Sequence, residues 1–364
     1  MLLYQNTESD TKTEIVDLDL KQPISAINLE VECTNGSSGN VDNFISDIVT
    51  KVEVVNGSDV LVTLNQSQLE AMHYYKTGQL PTMFPSEWAN GLNRHNATLF
   101  FGRYLWDREY NLDPTKYANP QLKVTFNKAA IRAASATGYA TGDNIKLTAV
   151  AKVFEDVPAA TKFLMQKQIN SFTSVSSGEK RVELPTDYAY RMLMLRAYVQ
   201  GSDIDEVIAG LKISCDTDRF VPLDRKVKQL DAEILAAYGP ATFKHDIRRA
   251  HGATIRLLMN KEPTVTVINT PNANLVTAVS WEWSSQFYLD VYTASTGATD
   301  GTTREWTLKE TGHALHATLP VWFGRPMEPG DWFNPKDYAK VEAVLDQNTA
   351  SAVCELVLEQ ERPQ

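Results

Sequence analysis

Cysteine is scarce in this chain of 364 residues, with only Cys33, Cys215 and Cys354. They lie far apart and show no Cys-x-x-Cys spacing, so neither a zinc cluster nor a disulfide framework is available, and buried free thiols are expected. Long apolar runs are missing as well. No window approaches ~18 uninterrupted apolar residues, which excludes a membrane-spanning helix. The opening stretch, residues 1–14, has no basic segment leading into an apolar core, so no secretory signal is expected. Clustered basic charge is also absent. The net charge is −10, and the densest basic run, Asp224–Lys228, is a few residues long. Proteins that coat nucleic acid present grouped Lys and Arg to displace phosphate counterions, so direct genome binding is not expected. An acidic chain is suited to facing solvent, neighbouring subunits or basic accessory proteins.

Signatures of catalysis are equally thin. There is no G-x-S-x-G elbow and no phosphate-cradling G-x-x-x-x-G-K-[ST] loop. The histidines, His73, His95, His245, His251, His313 and His316, include no His-x-His with a following Glu. His313-x-x-His316 sits where the sequence turns into a strand, in which residues three apart point to opposite faces. Glu282, flanked by Trp281 and Trp283, is the most suggestive carboxylate, but a glycosidase needs a second one at defined separation. Alternation places both tryptophans on one face and Glu282 on the other, which suits a core or an interface. The glycine-rich stretch 136–144 lacks a strand-to-helix setting and reads as a surface loop. Asn35, Asn56, Asn65 and Asn96 match the glycosylation sequon but read as turn chemistry. No catalytic, cofactor-binding or metal-ligating residue is assigned, and no enzymatic activity is expected.

What the chain does contain is strands. Residues 24–32 alternate, with Ile27, Leu29 and Val31 on one face and Asn28, Glu30 and Glu32 on the other. Residues 49–64 read as a hairpin about Asn56-Gly57, and bringing Val52 and Val54 to the same side as Val60, Val62 and Leu64 requires a bulge beside the turn. Further short strands are expected at 98–101, 122–126, 145–154, 181–184, 192–199, 211–214, 254–259, 264–268, 278–283, 287–292 and 353–359. Two helices are expected. One spans 66–76 and meets Gly78; the other spans 224–238, with Asp224 as its N-cap and Gly239 as its stop.

The two halves repeat. Ala97-Thr98-Leu99 recurs as Ala317-Thr318-Leu319, and Phe101-Gly102-Arg103 recurs as Phe323-Gly324-Arg325. Asp113-Pro114-x-x-Tyr117-Ala118 recurs as Asn334-Pro335-x-x-Tyr338-Ala339. Upstream, Ile27, Leu29 and Val31 correspond to Leu193, Leu195 and Ala197, and Ile48, Val52 and Val54 to Ile208, Leu211 and Ile213. The offset widens downstream because the second copy carries an insertion at about 242–311. The division is an arm, 1–10; a first domain, 11–155; a Pro-containing linker, 156–161; and a second domain, 162–364. For the paired arginines two roles stand open: salt bridges between subunits, or solvation of a strand end turned by glycine.

The repeat resembles the double jelly-roll major capsid proteins of tailless icosahedral, bacteriophage-like viruses. Residues 52–59, 101–103 with 119–124, and 184–197 carry the resemblance, which covers most of the chain. It implies an all-β fold of two tandem jelly-roll β-sandwiches, with a short helix inserted in each. It also implies a structural role in the virion shell after synthesis in the host cytoplasm. The subunit would form a homotrimeric capsomer of near-hexagonal outline, contacting neighbouring capsomers, penton or minor capsid proteins and, in some relatives, an internal membrane. Met1–Tyr4 would lie on the inner side or pack under a neighbour. The competing expectation is a carbohydrate-binding double β-sandwich, a spike or adhesin, using Trp281, Trp283 and Trp306 as an aromatic platform.

Overall fold

In the computed structural model, which describes residues 1–134, 138–269 and 272–364, the alternating stretch folds as its sequence requires. Ile27, Leu29, Val31 and Cys33 are buried, and the residues between them are half-exposed. The first half carries β1 (Leu2–Glu8), β2 (Thr11–Asp17), β3 (Ile24–Thr34), β4 (Val49–Asn56), β5 (Asp59–Leu64), β6 (Thr82–Phe84), β7 (Leu92–Phe100), β8 (Pro120–Asn127) and β9 (Ile145–Val153). Its helices are α1 (Ile45–Ile48), α2 (Gln66–Thr77) and α3 (Lys128–Ala134). The β4–β5 hairpin turns at Gly57, φ +61°, and its register slips after Val54↔Val62 to Val55↔Val60. The bulge is where it is expected, and Val52, Val54, Val62 and Leu64 are in the core, but it does not bring Val60 to that side: Val60 pairs with Val55 and is only half-buried.

The second half repeats the series with β10 (Lys162–Thr173), β11 (Gly178–Leu184), β12 (Tyr190–Tyr198), β13 (Ile208–Cys215) and β14 (Phe220–Lys226). After the insertion it closes with β21 (Thr318–Trp322), β22 (Val341–Gln347) and β23 (Val353–Pro363). Helices α4 (Ile204–Val207) and α5 (Val227–Tyr238) match α1 and α2. Sheet order establishes the duplication. The first half pairs β1-β9-β3-β7, with β6 at the edge, and β2-β8-β4-β5; the second pairs β10-β23-β12-β21 and β11-β22-β13-β14. Omitting β6, both read first-eighth-third-sixth and second-seventh-fourth-fifth, which is the jelly roll. The rolls are fused: β5 lies parallel to β10 through Val62↔Gln166 and Thr63↔Lys167, making one eight-stranded sheet across the molecule.

The insertion holds β15 (Ala241–Arg249), β16 (Ala253–Arg256), β17 (Met259–Asn269), β18 (Leu275–Trp283), β19 (Gln286–Thr293) and β20 (Arg304–Leu315). They form two three-stranded sheets, β15-β20-β17 and β16-β19-β18, around a separate core that includes Ile247, Ile255, Phe287, Leu289, Trp306 and Leu308.

Several expectations are corrected. Asp224 is not a helix cap. Its backbone belongs to β14, paired with Lys212, so the helix starts at Val227 after Lys226. The stretch 254–259 is two strands, broken between Arg256 and Met259. Leu2–Glu8 is no free arm but pairs along β9, with the Met1 amino group bonded to the Ala151 carbonyl. Of the stretch 136–144, residues 136 and 137 lie outside the described residues, and Tyr139 is buried, donating to the Asn43 carbonyl. Asn96 lies within β7 rather than in a turn, whereas Asn65 is the N-cap of α2.

Candidate functional site

The seam between the rolls is built by α2. Asn65 Oδ1 accepts from the Gln68 amide at 2.9 Å and the Gln68 side chain accepts from the Asn65 amide at 3.0 Å, a reciprocal cap. Gly78 ends the helix in the left-handed region, φ +70°. Because the helix lies between two sandwiches, its polar residues are buried too, Gln66, Gln68 and Glu70 among them. Tyr75 Oη donates to the Thr318 carbonyl at 2.7 Å, and Tyr238 Oη of α5 donates to the Tyr75 carbonyl at 2.8 Å. Asn65 and Gln68 donate to Glu355, which also takes Arg196 at 2.9 Å. Lys76 and Arg191 both pair with Glu359, all three fully enclosed. Burial pushes Lys76 down to about 8. Burial alone would raise Glu359, but Lys76 and Arg191 hold it below the usual carboxylate range. Paired burial of this kind contributes little net stability, yet losing one partner strands a charge.

Three of the histidines are matched to acids, two of them to the same carboxylate. His313 and His316 diverge, though not by strand alternation: His313 lies near the end of β20, and His316 lies in the left-handed turn before β21, φ +55°. His313 meets Asp231 of α5 at 3.1 Å, and His316 meets Glu70 of α2 at 2.6 Å. His95 reaches the other oxygen of Glu70 at 2.8 Å. Burial opposes ionisation of Glu70, but the two imidazoles hold it well below the ordinary range. His73 Nδ1 accepts from the Thr98 amide at 2.9 Å, and burial pushes it down to about 4. Sequence reasoning missed the Glu70–His95–His316 group. The one available signal was a helix whose polar residues outnumber its solvent-facing positions. Among the described residues no set of three or more His, Cys, Asp or Glu is placed to hold a metal ion. Cys33, Cys215 and Cys354 are free and buried, and burial pushes their thiols up to about 12, 11 and 12.

The Phe-Gly-Arg repeats follow β7 and β21 and open the loops there, and Lys76 of α2 reaches the Gly102 carbonyl of the first at 3.2 Å. Each loop ends at the same device: a 3-10 turn, Pro114–Lys116 or Pro335–Asp337, capped by Asp113 or Asn334. A Cβ on Gly102 would lie 2.7 Å from that of Asp107, and one on Gly324 would lie 2.5 Å from the Asp331 carbonyl, so each glycine admits a returning chain. The arginines close those loops. Arg103 binds both oxygens of Asp107, at 2.7 and 3.0 Å, and donates to the Met327 carbonyl at 2.9 Å, tying the two loops together. Arg325 binds Asp331 at 2.5 Å at the surface. Neither arginine merely solvates its strand end. Beside them Tyr104, Trp106 and Met327 are exposed.

The aromatic trio of the insertion is divided. Trp306 is fully buried, its indole donating to the Arg249 carbonyl at 3.2 Å, so it is no part of an exposed platform. Trp281 and Trp283 are 42% and 52% exposed, not core. Glu282 turns the other way, accepting from the Val265 amide at 2.6 Å in the facing sheet. The insertion itself is clamped to the first roll. Arg249 pairs with Asp42 and Glu87, Arg256 pairs with Asp47, and the Trp88 indole donates to the Ile247 carbonyl.

No described protein family and no curated protein sequence matches the chain. Solved structures do. The major capsid protein of Sulfolobus turreted icosahedral virus aligns over 98% of this chain and 95% of its own, with a TM-score of 0.57 and 12% identity. Major capsid protein P2 of bacteriophage PM2 aligns over 99% and 94%, with a TM-score of 0.51 and 11% identity. A chain of the PBCV-1 virus capsid aligns over 99% and 92%, with a TM-score of 0.54 and 10% identity. The chain has the double jelly-roll fold of viral major capsid proteins, and at these identities the likeness is one of fold.

Proposed function

We propose that this chain is a structural subunit of an icosahedral virion shell, working as a trimeric capsomer of near-hexagonal outline. The observation that carries this reading is the fused duplication: two rolls of identical strand order locked side by side by one continuous sheet. Three such chains about a threefold axis present six similar wedges, and closed cyclic symmetry requires only one kind of interface repeated. The capsid proteins of like fold support the role. The buried titratable groups are spent on the ionic seam rather than arrayed in a cleft, which suits a structural rather than a catalytic task. Its partners are copies of itself, with penton or minor capsid proteins at special positions and a membrane on the inner side. The two rolls, divided at the 156–161 linker, are the two wedges, and the insertion stands beside α4 of the second and α1 of the first. Light scattering over a range of concentrations tests this. A stable species of roughly three times 40.7 kDa is expected, and a monomer that never self-associates contradicts it.

A further inference from the structure

The outer face of the small sheet β16-β19-β18 shows tryptophans where strand alternation would have hidden them. Val279 pairs with Leu289 and points into the insertion core. Simple alternation would send Trp281 and Trp283 inward as well. Instead the register slips between Val279 and Trp281, so that Trp281 pairs with Tyr288, and both tryptophans emerge on the solvent side. A bulge sacrifices ladder hydrogen bonds and re-aims the side chains that follow it. Glu282 pins the arrangement by taking the Val265 amide of the opposite sheet.

Around the tryptophans the face is flat and aromatic. Trp281 lies against Tyr288 at 5.8 Å between ring centroids and 22° between planes, and Tyr292 meets His251 at 5.3 Å. Gly252, φ +83°, leaves room for the Tyr288 hydroxyl, which would sit 3.2 Å from a Cβ there. Thr254, the Tyr288 hydroxyl and Asp290 place polar groups beside the rings. Among the described residues of the three strands Arg256 is the one cation, and Asp47 engages it.

We infer that this face is a carbohydrate-binding site for neutral hexopyranose units, a function additional to shell building. Flat, partly exposed rings stack on the apolar face of a pyranose, as they do on other flat apolar partners, while adjacent hydroxyl and carboxylate groups bond its hydroxyls. Among the described residues of these strands no cation is free, so nothing there complements a sialyl carboxylate or a sulfate.

The test is a fluorescence titration and glycan array on the full chain, with neutral hexose oligosaccharides and sialylated ones in parallel. Neutral sugars should quench tryptophan emission saturably. Trp281→Ala with Trp283→Ala should weaken binding by roughly thirtyfold, the scale on which aromatic anchors count at interfaces. Trp281→Phe, which keeps a stacking ring, should retain most of the binding. Light scattering on the same variants should show unchanged mass, so a failure here is separable from a failure of the shell reading. Absence of neutral-sugar binding, preference for sialylated glycans, or wild-type affinity in the double variant overturns the inference. So does an emission blue shift on self-association without any sugar response, which assigns the face to contacts between copies.

Discussion

Arg103 and Arg325 hold equivalent places in the two rolls, but their surroundings give them different weights. Arg103 is enclosed with Asp107 and bonded to Met327 of the other loop, whereas Arg325 and Asp331 lie in water. Arg103→Ala leaves a buried carboxylate unpaired and should cost about 3–5 kcal/mol. Arg325→Ala should cost far less, as loss of an exposed pair does. Urea denaturation of both variants checks the contrast, and equal losses would contradict it. His73 supplies a pH prediction. Unfolded, it takes a proton near pH ~6.5; folded, it stays neutral until about 4. The unfolded state therefore binds the proton first, and stability falls as pH drops from about 6.5 towards 4, by roughly 3 kcal/mol from this residue. His73→Gln, which can still accept from the Thr98 amide, should flatten that part of the profile. A profile unchanged by the substitution would refute the assignment.

At the scale of elements, the insertion is a folded unit held to the first roll by ion pairs and by a backbone bridge between Ser86 and Asp246. Arg249 reaches Asp42 and Glu87 on loops of that roll, and Arg256 reaches Asp47 in α1. Replacing both arginines by alanine should raise amide exchange across 241–315 while leaving β3, β9, β12 and β23 protected. Uniform loss of protection would show instead that the insertion is integral to the rolls. This attachment was not legible in the sequence, because Arg249 and Glu87 are 162 residues apart and neither stands in a motif. The strands around it were legible wherever one face is buried, since alternation then fixes which residues point inward. Alternation rightly put Trp281 and Trp283 on one face and Glu282 on the other, but that the shared face is exposed rather than core was not legible, because a single extra residue after Val279 inverts alternation and no local signal announces it. Asp224 was misread for a related reason: a good capping residue was claimed by the ladder of β14.

Over the whole molecule, the continuous sheet and the α2 seam make the rolls one cooperative body. Calorimetry should show the rolls melting in a single transition. Glu359→Gln, which strands Lys76 and Arg191 in the seam, should lower its midpoint without splitting it. Two resolved transitions for the rolls would mean that they are merely tethered. The duplication itself was visible in the sequence, because the Phe-Gly-Arg strand ends and the capped Pro turns recur in the same order at offsets of 222 and 221. That the copies share a sheet was not visible, since parallel pairing of Val62 with Gln166 leaves no periodic trace.

The most direct test of the central claim is the outline of the purified particle in negative-stain class averages. The account predicts threefold-symmetric particles with six corners, each chain contributing two adjacent lobes. Two-lobed single chains at every concentration, or a twofold dimer, would contradict it.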